Sequence, residues 1–562
     1  MRSCKTSTCL SRVILISALI LPGISTGHPS AAPDVKNAHV YAFEAGYSAD
    51  DPDDHLESGG KLLISELNCI ACHSAPEEVL AHLVPTKAPD LAGVGSRLSY
   101  RDLWLMVRNP HFLRKGSTMP GQFSHIDDRD PDAFGSISKY LSTLTEPEKP
   151  EYPEGDADRG RNLYHQVGCV ACHNPATDFE PPNTRPGFPA DKPGIPSVPI
   201  RLADLYKKDA LISYLLDPLE SHPAGRMPKT KLTVQEAADL AEYLQIEGIP
   251  PNEEKPEVTA EELAKGKRLF GQLNCAACHQ IDDKEIPPPP LSRPLLELDI
   301  STEKGCLAPD PVAGAPHYKL SELQRKSISI TLTKFKKEDV PAPRTDERID
   351  QIFSSFNCYA CHERGGKGGP EVPRAQYFAT KNNVPEFHKE FAILPPSLTG
   401  AGHKLTSEWL EKILKHGEGH VRPYMHTRMP HFGSANMEEL RDLLVAVDTP
   451  ATPLVIETGK PDAESKERGA VLFSGAKSGL NCAKCHGVAG KQPTGEIKSI
   501  DLSQSAQRLN SSFFKELLLN PDEMLPGSSM PNSLKNQPGA DEKIEQIWRF
   551  LEGSKAPAST PE

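Results

Sequence analysis

One five-residue word recurs along this chain. It is Cys-x-x-Cys-His, at Cys69-Cys72-His73, Cys169-Cys172-His173, Cys275-Cys278-His279, Cys358-Cys361-His362 and Cys482-Cys485-His486. Two thiols one short turn apart can form thioethers to the two vinyl groups on one edge of a porphyrin. The histidine that follows is then held where its imidazole can ligate the iron. The word is a signature of covalent haem attachment, and five copies predict five haems of c type. Zinc sites and redox dithiols also use Cys-x-x-Cys. Against them stand the histidine at one offset in every copy and a repeated lead-in. Gly60, Gly160 and Gly266 each lie nine residues before the first cysteine, and Ile64, Tyr164, Phe270 and Phe353 each lie five before. The fifth copy keeps the lead-in as Gly469 and Phe473, with four residues inserted.

The start of the chain reads as an export signal over residues 1–32. Arg2, Lys5 and Arg12 precede a mostly apolar core at residues 13–21, and small residues follow. That core is too short to span a bilayer as a helix, and no later stretch reaches the ~18 apolar residues a span needs. The expectation is an exported, periplasmic or similarly placed protein with no integral membrane segment after signal cleavage. Of 13 cysteines, two fall in the signal and ten in the motifs, which leaves Cys306 alone and no pair for a structural disulfide. A net charge of −13 excludes a nucleic-acid partner as the natural reading and suits docking to basic patches on redox partner proteins, a dehydrogenase or a respiratory complex.

The first cysteines of successive motifs are 100, 106, 83 and 124 residues apart, the size of small independent domains. Linkers rich in proline and acidic residues lie between them, at residues 145–153, 248–256 and 448–453. The expected modules are residues 33–148, 149–252, 257–340, 345–450 and 462–556. Apolar residues follow helical spacing throughout, so the fold class is all-α: a tandem array of five small helical domains. The Gly-rich stretch at residues 363–369 reads as a loop beside the fourth motif. Helices carrying Leu98, Leu103 and Val107, Leu205, Leu211 and Leu215, and Leu509, Phe513 and Leu517 end at Asn109-Pro110, Asp217-Pro218 and Asn520-Pro521. Nine residues after each of those prolines comes Met-Pro: Met119-Pro120, Met227-Pro228 and Met530-Pro531. Three methionines at one spacing, each between a motif and a terminal helix, point to thioether ligands on the far side of the iron. In the fourth unit, whose helix holds Leu405, Trp409, Leu410 and Ile413, the candidate is Met429, with Met425 and His426 as weaker contenders.

On these residues the chain resembles the class I c-type cytochrome family, as five concatenated modules. The resemblance implies an N-terminal helix running into the motif, a loop with a distal methionine, and a C-terminal helix packed on the first. It also implies single-electron transfer, with His/Met ligation raising the haem potential. The third unit departs: no methionine occurs between Met227 and Met425, and the Leu-x-Trp-Leu helix is missing. Cys306 and His317 are the side chains there with iron-ligand chemistry, and Cys306 is preferred as the thiol with no other employment. The expected ligand set is therefore the five motif histidines with Met119, Met227, Met429, Met530 and, on the third haem, Cys306. The function expected is electron transfer between redox partners rather than an enzyme with its own substrate. The alternative is a multihaem oxidoreductase with sulfur-compound or peroxidase-like chemistry at the third haem.

Overall fold

The computed structural model describes residues 36–121, 132–147, 151–182, 205–245, 256–286, 292–300, 305–312, 315–337, 340–378, 380, 394–419, 422, 425–456, 463–475, 480–495, 500–525 and 530–554. The expected signal segment and the proline run at 287–290 lie outside these. Among the described residues the chain is all-α apart from one two-stranded hairpin. Its longer helices are α1 (Asp53–Glu66), α2 (Tyr100–Arg108), α3 (Ala133–Ser142), α4 (Ala157–Gln166), α5 (Lys208–Leu216), α6 (Val234–Gln245) and α7 (Ala260–Gln272). They continue as α8 (Glu322–Phe335), α9 (Thr345–Ser355), α10 (Ser407–His416), α11 (Leu440–Asp448), α12 (Ala463–Ser474), α13 (Ser511–Leu519) and α14 (Ala540–Glu552).

Local signals explain the helix ends. Thr259 and Ser321 each cap a helix through a reciprocal box with Glu262 and Gln324. The Asn109-Pro110 junction ends α2 and starts a further turn, with the Asn109 side chain accepting from the Phe112 amide. Asp217-Pro218 and Asn520-Pro521 also end α5 and α13 and start a further turn, without a side-chain cap. The Gly-rich stretch after the fourth motif is a hairpin and not a loop: Glu363–Arg364 pairs with Lys367–Gly368. Gly365 and Gly366 turn it with positive φ. Arg364 then grips Asp448 at the end of α11 through two nitrogen–oxygen contacts of 2.7 and 3.0 Å.

Three lead-in helices pack on the terminal helix of their own stretch of chain: α4 on α6, α9 on α11, and α12 on α14. The other two exchange partners. Helix α1, before the first motif, packs on α8, and α7, before the third motif, packs on α3. The expected modules 33–148 and 257–340 therefore do not close on themselves. Each is built from the first half of one stretch and the second half of the other. The crossing glycines report the same exchange. A Cβ on Gly160 would lie 2.0 Å from the Asp239 carbonyl oxygen and one on Gly469 2.0 Å from that of Gln546, both in the same stretch. A Cβ on Gly60 would lie 2.2 Å from the Ser327 carbonyl oxygen, and one on Gly266 2.2 Å from that of Ser136.

Charge and hydrogen bonding select the exchanged pairs. The Lys334 ammonium reaches Glu57 at 2.5 Å, and the Thr331 hydroxyl donates to the Glu57 carbonyl at 2.8 Å. Across the other pair, Lys139 reaches Glu262 at 2.6 Å, and the Tyr140 hydroxyl donates to Asp283 at 2.9 Å. Apolar packing agrees. Leu63, Ile64 and Cys69 share a core with Leu295, Leu320 and Leu332, whereas Phe270 and Cys275 share one with Leu103, Val107 and Ile137.

Short backbone bridges join the modules side by side. Gly121 and His317 exchange two hydrogen bonds of 2.9 Å, linking the loop after α2 to the segment before α8. Leu98 pairs with Tyr206, Lys229 with His431, and Leu405 with Leu509. Named by motif histidine, the bridges run His73, His279, His173, His362, His486. The His362 module also touches the His73 module, where Arg348 donates to the Leu83 carbonyl at 2.8 Å. Zero-length carbodiimide cross-linking of the native protein should yield Lys334–Glu57 and Lys139–Glu262 among its products by mass spectrometry. A cross-link map joining α1 only to α3, and α7 only to α8, is the result incompatible with the exchange.

Candidate functional site

Each motif forms one tight 3-10 turn: Cys69–Ala71, Cys169–Ala171, Cys275–Ala277, Cys358–Ala360 and Cys482–Lys484. The chain enters each turn through a residue of positive φ: Asn68, Gly168, Asn274, Asn357 and Asn481. Asn and Gly adopt this left-handed geometry at least cost, and it redirects the chain sharply at a helix end. The sequence displays the signal as Asn or Gly immediately before every first cysteine, which the motif reading passed over. The motif histidine amide then donates to the first cysteine's carbonyl, at 2.8–3.1 Å in all five copies. Thiols and imidazole are thereby fixed relative to one another before any cofactor is considered.

The imidazoles are oriented from outside the turns. Nδ1 of His362 donates to the Pro396 carbonyl at 2.8 Å and Nδ1 of His486 to that of Ile500 at 2.9 Å. Nδ1 of His73 donates to the Arg293 carbonyl at 2.8 Å and Nδ1 of His279 to that of Pro89 at 2.9 Å. A carbonyl only accepts, so the proton sits on Nδ1 and Nε2 keeps its lone pair for a metal. His73 and His279 again take partners from each other's stretch of chain.

The expected far-side residues fall into place unevenly. Met227 packs with Cys169 and Tyr164, and Met530 packs with Cys482 and Trp548. Met119 lies in the loop whose Gly121 pairs with His317. Met429 is 37% exposed and Met425 6%, yet Met429 and Met227 each stand two residues before the antiparallel Lys229–His431 bridge, at equivalent places on its two strands. Cys306 packs against the same apolar core as Cys69 of the first motif. The His317 ring donates from Nε2 to the Pro309 carbonyl at 3.2 Å. The segment bearing Cys306 and His317 thus belongs with His73, because α8 that follows it packs on α1. Both residues sit on a segment that packs with the first motif's lead-in helix, away from the chain-order arrangement expected of them.

Two observations show that the surroundings suit a haem. The indole N–H of Trp409 on α10 is buried with no hydrogen-bond partner among the described residues. At the Leu405–Leu509 bridge, burial pushes Lys404 down to about 8, with Arg508 and Arg422 adding like-charge repulsion. Burial likewise pushes Arg508 down to about 10, with Arg422 adding to it. A buried N–H donor and a half-buried cluster of cations call for an anion. Haem propionates are anions of the right kind, and one haem lies on either side of this bridge if both motifs are loaded. A metal ion alone fits less well, since among the described residues no three His, Cys, Asp or Glu side chains converge. These donors escaped the sequence reading because only tertiary packing buries them.

Neighbouring motifs approach one another. Asn274, which leads into the third motif, directs its amide nitrogen to the Cys72 sulfur of the first at 3.6 Å. Buried Arg374, from the fourth unit, donates to the carbonyls of Val170 and His173 in the second, at 2.7 and 3.2 Å.

Comparison with known proteins agrees with this geometry. Residues 157–246 and 263–325 match the family model described as cytochrome c. Residues 344–445 match that of cytochrome C oxidase, cbb3-type, subunit III. No curated protein and no solved structure matches the chain. The chain belongs to the c-type cytochrome family. Its cytochrome c domains bind haem c covalently and make it a haem-based electron-transfer protein. The match over 263–325 runs from α7 through the third motif into the segment that folds on the first, following chain order where the fold does not.

The left-handed entry residue gives a direct test. Asn481→Val should cost about 1–2 kcal/mol in chemical denaturation, because a β-branched residue resists positive φ. Asn481→Gly should be close to neutral, and equal losses in both variants would remove the backbone explanation.

Proposed function

We propose that this chain is an exported pentahaem c-type cytochrome that carries electrons between redox partner proteins. Cys69 and Cys72, Cys169 and Cys172, Cys275 and Cys278, Cys358 and Cys361, and Cys482 and Cys485 hold the five haems as thioethers. His73, His173, His279, His362 and His486 are the proximal ligands. Met227, Met429 and Met530 ligate the second, fourth and fifth irons from the far side. The observation that carries the reading is the fivefold repeat of one turn, in modules packed so that motifs of different modules touch.

When bound, the haems supply the one-electron redox chemistry. The chain's own residues do the rest. The Nδ1–H···O=C bonds hold the imidazoles of His73, His279, His362 and His486 in the metal-binding tautomer. Lys404, Arg508 and the Trp409 N–H offer counter-charge and a donor to propionates at the join of the last two modules. The bridges keep neighbouring modules at fixed separation, so electrons can pass without domain motion. Net charge of −13 leaves a surface suited to basic docking patches on a dehydrogenase or respiratory complex. Among the described residues no helix is long and apolar enough to cross a membrane.

Pyridine haemochrome absorbance per mole of protein, made with full attachment machinery, should give five c-type haems. Four or fewer would count against the stoichiometry. Met227→Ala and Met530→Ala should each lower one redox potential and leave all haems attached, since thioethers and proximal histidine do not depend on the far ligand. A redox titration unchanged by either variant would remove that methionine from the ligand list.

A further inference from the structure

We propose that the haem held by Cys69, Cys72 and His73 has no methionine and binds a small exogenous ligand beside Ala315 and Tyr318, while Met119 ligates the iron of His279. This rests on reading the motifs as haem sites and departs from the chain-order assignment of ligands.

The argument is one of register. Two antiparallel bridges join loops of neighbouring modules, Gly121 with His317 and Lys229 with His431. Two residues before Gly121, Lys229 and His431 stand Met119, Met227 and Met429, each followed by proline. Two residues before His317 stands Ala315, also followed by proline, Pro316. Ala315 thus occupies the methionine position of its loop and carries no atom that could donate to a metal.

The helix exchange decides which motif that loop serves. Arg293 orients His73, α8 packs on α1, and Tyr318 and Leu320 share a core with Leu63, Ile64 and Cys69. The loop bearing Met119 lies between Pro89, which orients His279, and α3, which packs on α7. The methionine of the first stretch accordingly goes to the third motif, and the methionine-less loop goes to the first.

Cys306 does not take the vacated position. It lies nine residues before Ala315, in the turn Gly305–Leu307, and packs against the core that also holds Cys69, one of the thioether positions. Exchanging a methionine side chain for a methyl group removes roughly three heavy atoms from a packed site. That is room for a diatomic or triatomic ligand with a lone pair. Buried Tyr318, three residues after Ala315, brings a phenolic O–H that can donate to such a ligand. Carbon monoxide, cyanide, nitric oxide and peroxide share this chemistry.

The test uses the fully loaded protein with carbon monoxide as probe. Haem content is measured first, so that failure of the five-haem reading is seen separately. One carbon monoxide should bind per five reduced haems. Ala315→Met should bring that to none, and Met119→Ala should raise it to two. Cys306→Ala should leave it at one; a rise from none to one in that variant would show the thiolate on the iron and overturn the proposal. The site is located with Cys69→Ser/Cys72→Ser, which should lose the binding haem, and Cys275→Ser/Cys278→Ser, which should keep it. The reverse pattern restores chain-order ligation. Should both attachment variants misfold, the single-residue Ala315→Met result decides: binding that persists there overturns the proposal.

Discussion

The close crossing of a lead-in helix with a terminal helix governs this molecule. In four of the five modules the crossing is made at a glycine, because any Cβ there would lie 2.0–2.2 Å from a carbonyl oxygen of the partner helix. No side chain survives at that distance, so the two backbones meet directly. The fourth module has Ile349 at the corresponding place, buried to 1% exposure against α11. Once a terminal helix is seated, the segment before it has limited freedom. It must lay its carbonyl on the motif histidine and its loop across the thiols. The identity of the terminal helix therefore decides which loop residues each motif receives.

Much of this was legible in the sequence. The five motifs, the lead-in glycines, the helices ending at Asn-Pro or Asp-Pro, and the Met-Pro loops are local patterns, and local patterns survive folding intact. The left-handed Asn or Gly before each motif is equally local. What could not be read was partner choice. Helices α3 and α8 present the same kind of face to a lead-in glycine: Ser136 on one, Ser327 on the other. Periodicity ranks them equally, and chain order favours the wrong one. The deciding contacts join residues more than a hundred positions apart, Glu262 to Lys139 and Glu57 to Lys334. The segment without a methionine follows the third motif in sequence, yet its helix packs on the lead-in helix of the first, and no local pattern shows that.

Exchange of this kind is energetically undemanding. Each exchanged module repeats the contacts that a contiguous module would make, so the cost is confined to the connections. Those connections are long, and closure entropy grows only slowly with length. The consequence for folding is larger than for stability. Helix α1 has no terminal partner until residues 322–335 exist, so the first module depends on contacts of very high sequence separation. The second module, written between them, can form from α4 and α6 while the first and third are incomplete.

The same arrangement reorders the path through the protein. By backbone bridges the modules run His73, His279, His173, His362, His486, although the chain writes them in another order. The Arg348 contact then closes the first four into a ring, with the His486 module attached at the His362 module. Within the ring Arg226 of the His173 module also reaches Glu66 of the His73 module at 2.9 and 3.1 Å, so the His73 module touches each of the other three. Half-buried cations mark the join outside the ring, Lys404 from one module beside Leu405 and Arg508 from the other beside Leu509. Positive charge at a join favours the reduced state of redox centres beside it, since each added electron is then partly neutralised. Lys404 and Arg508 belong to different modules and repel one another, so an anion between them would strengthen this join as well as neutralise it.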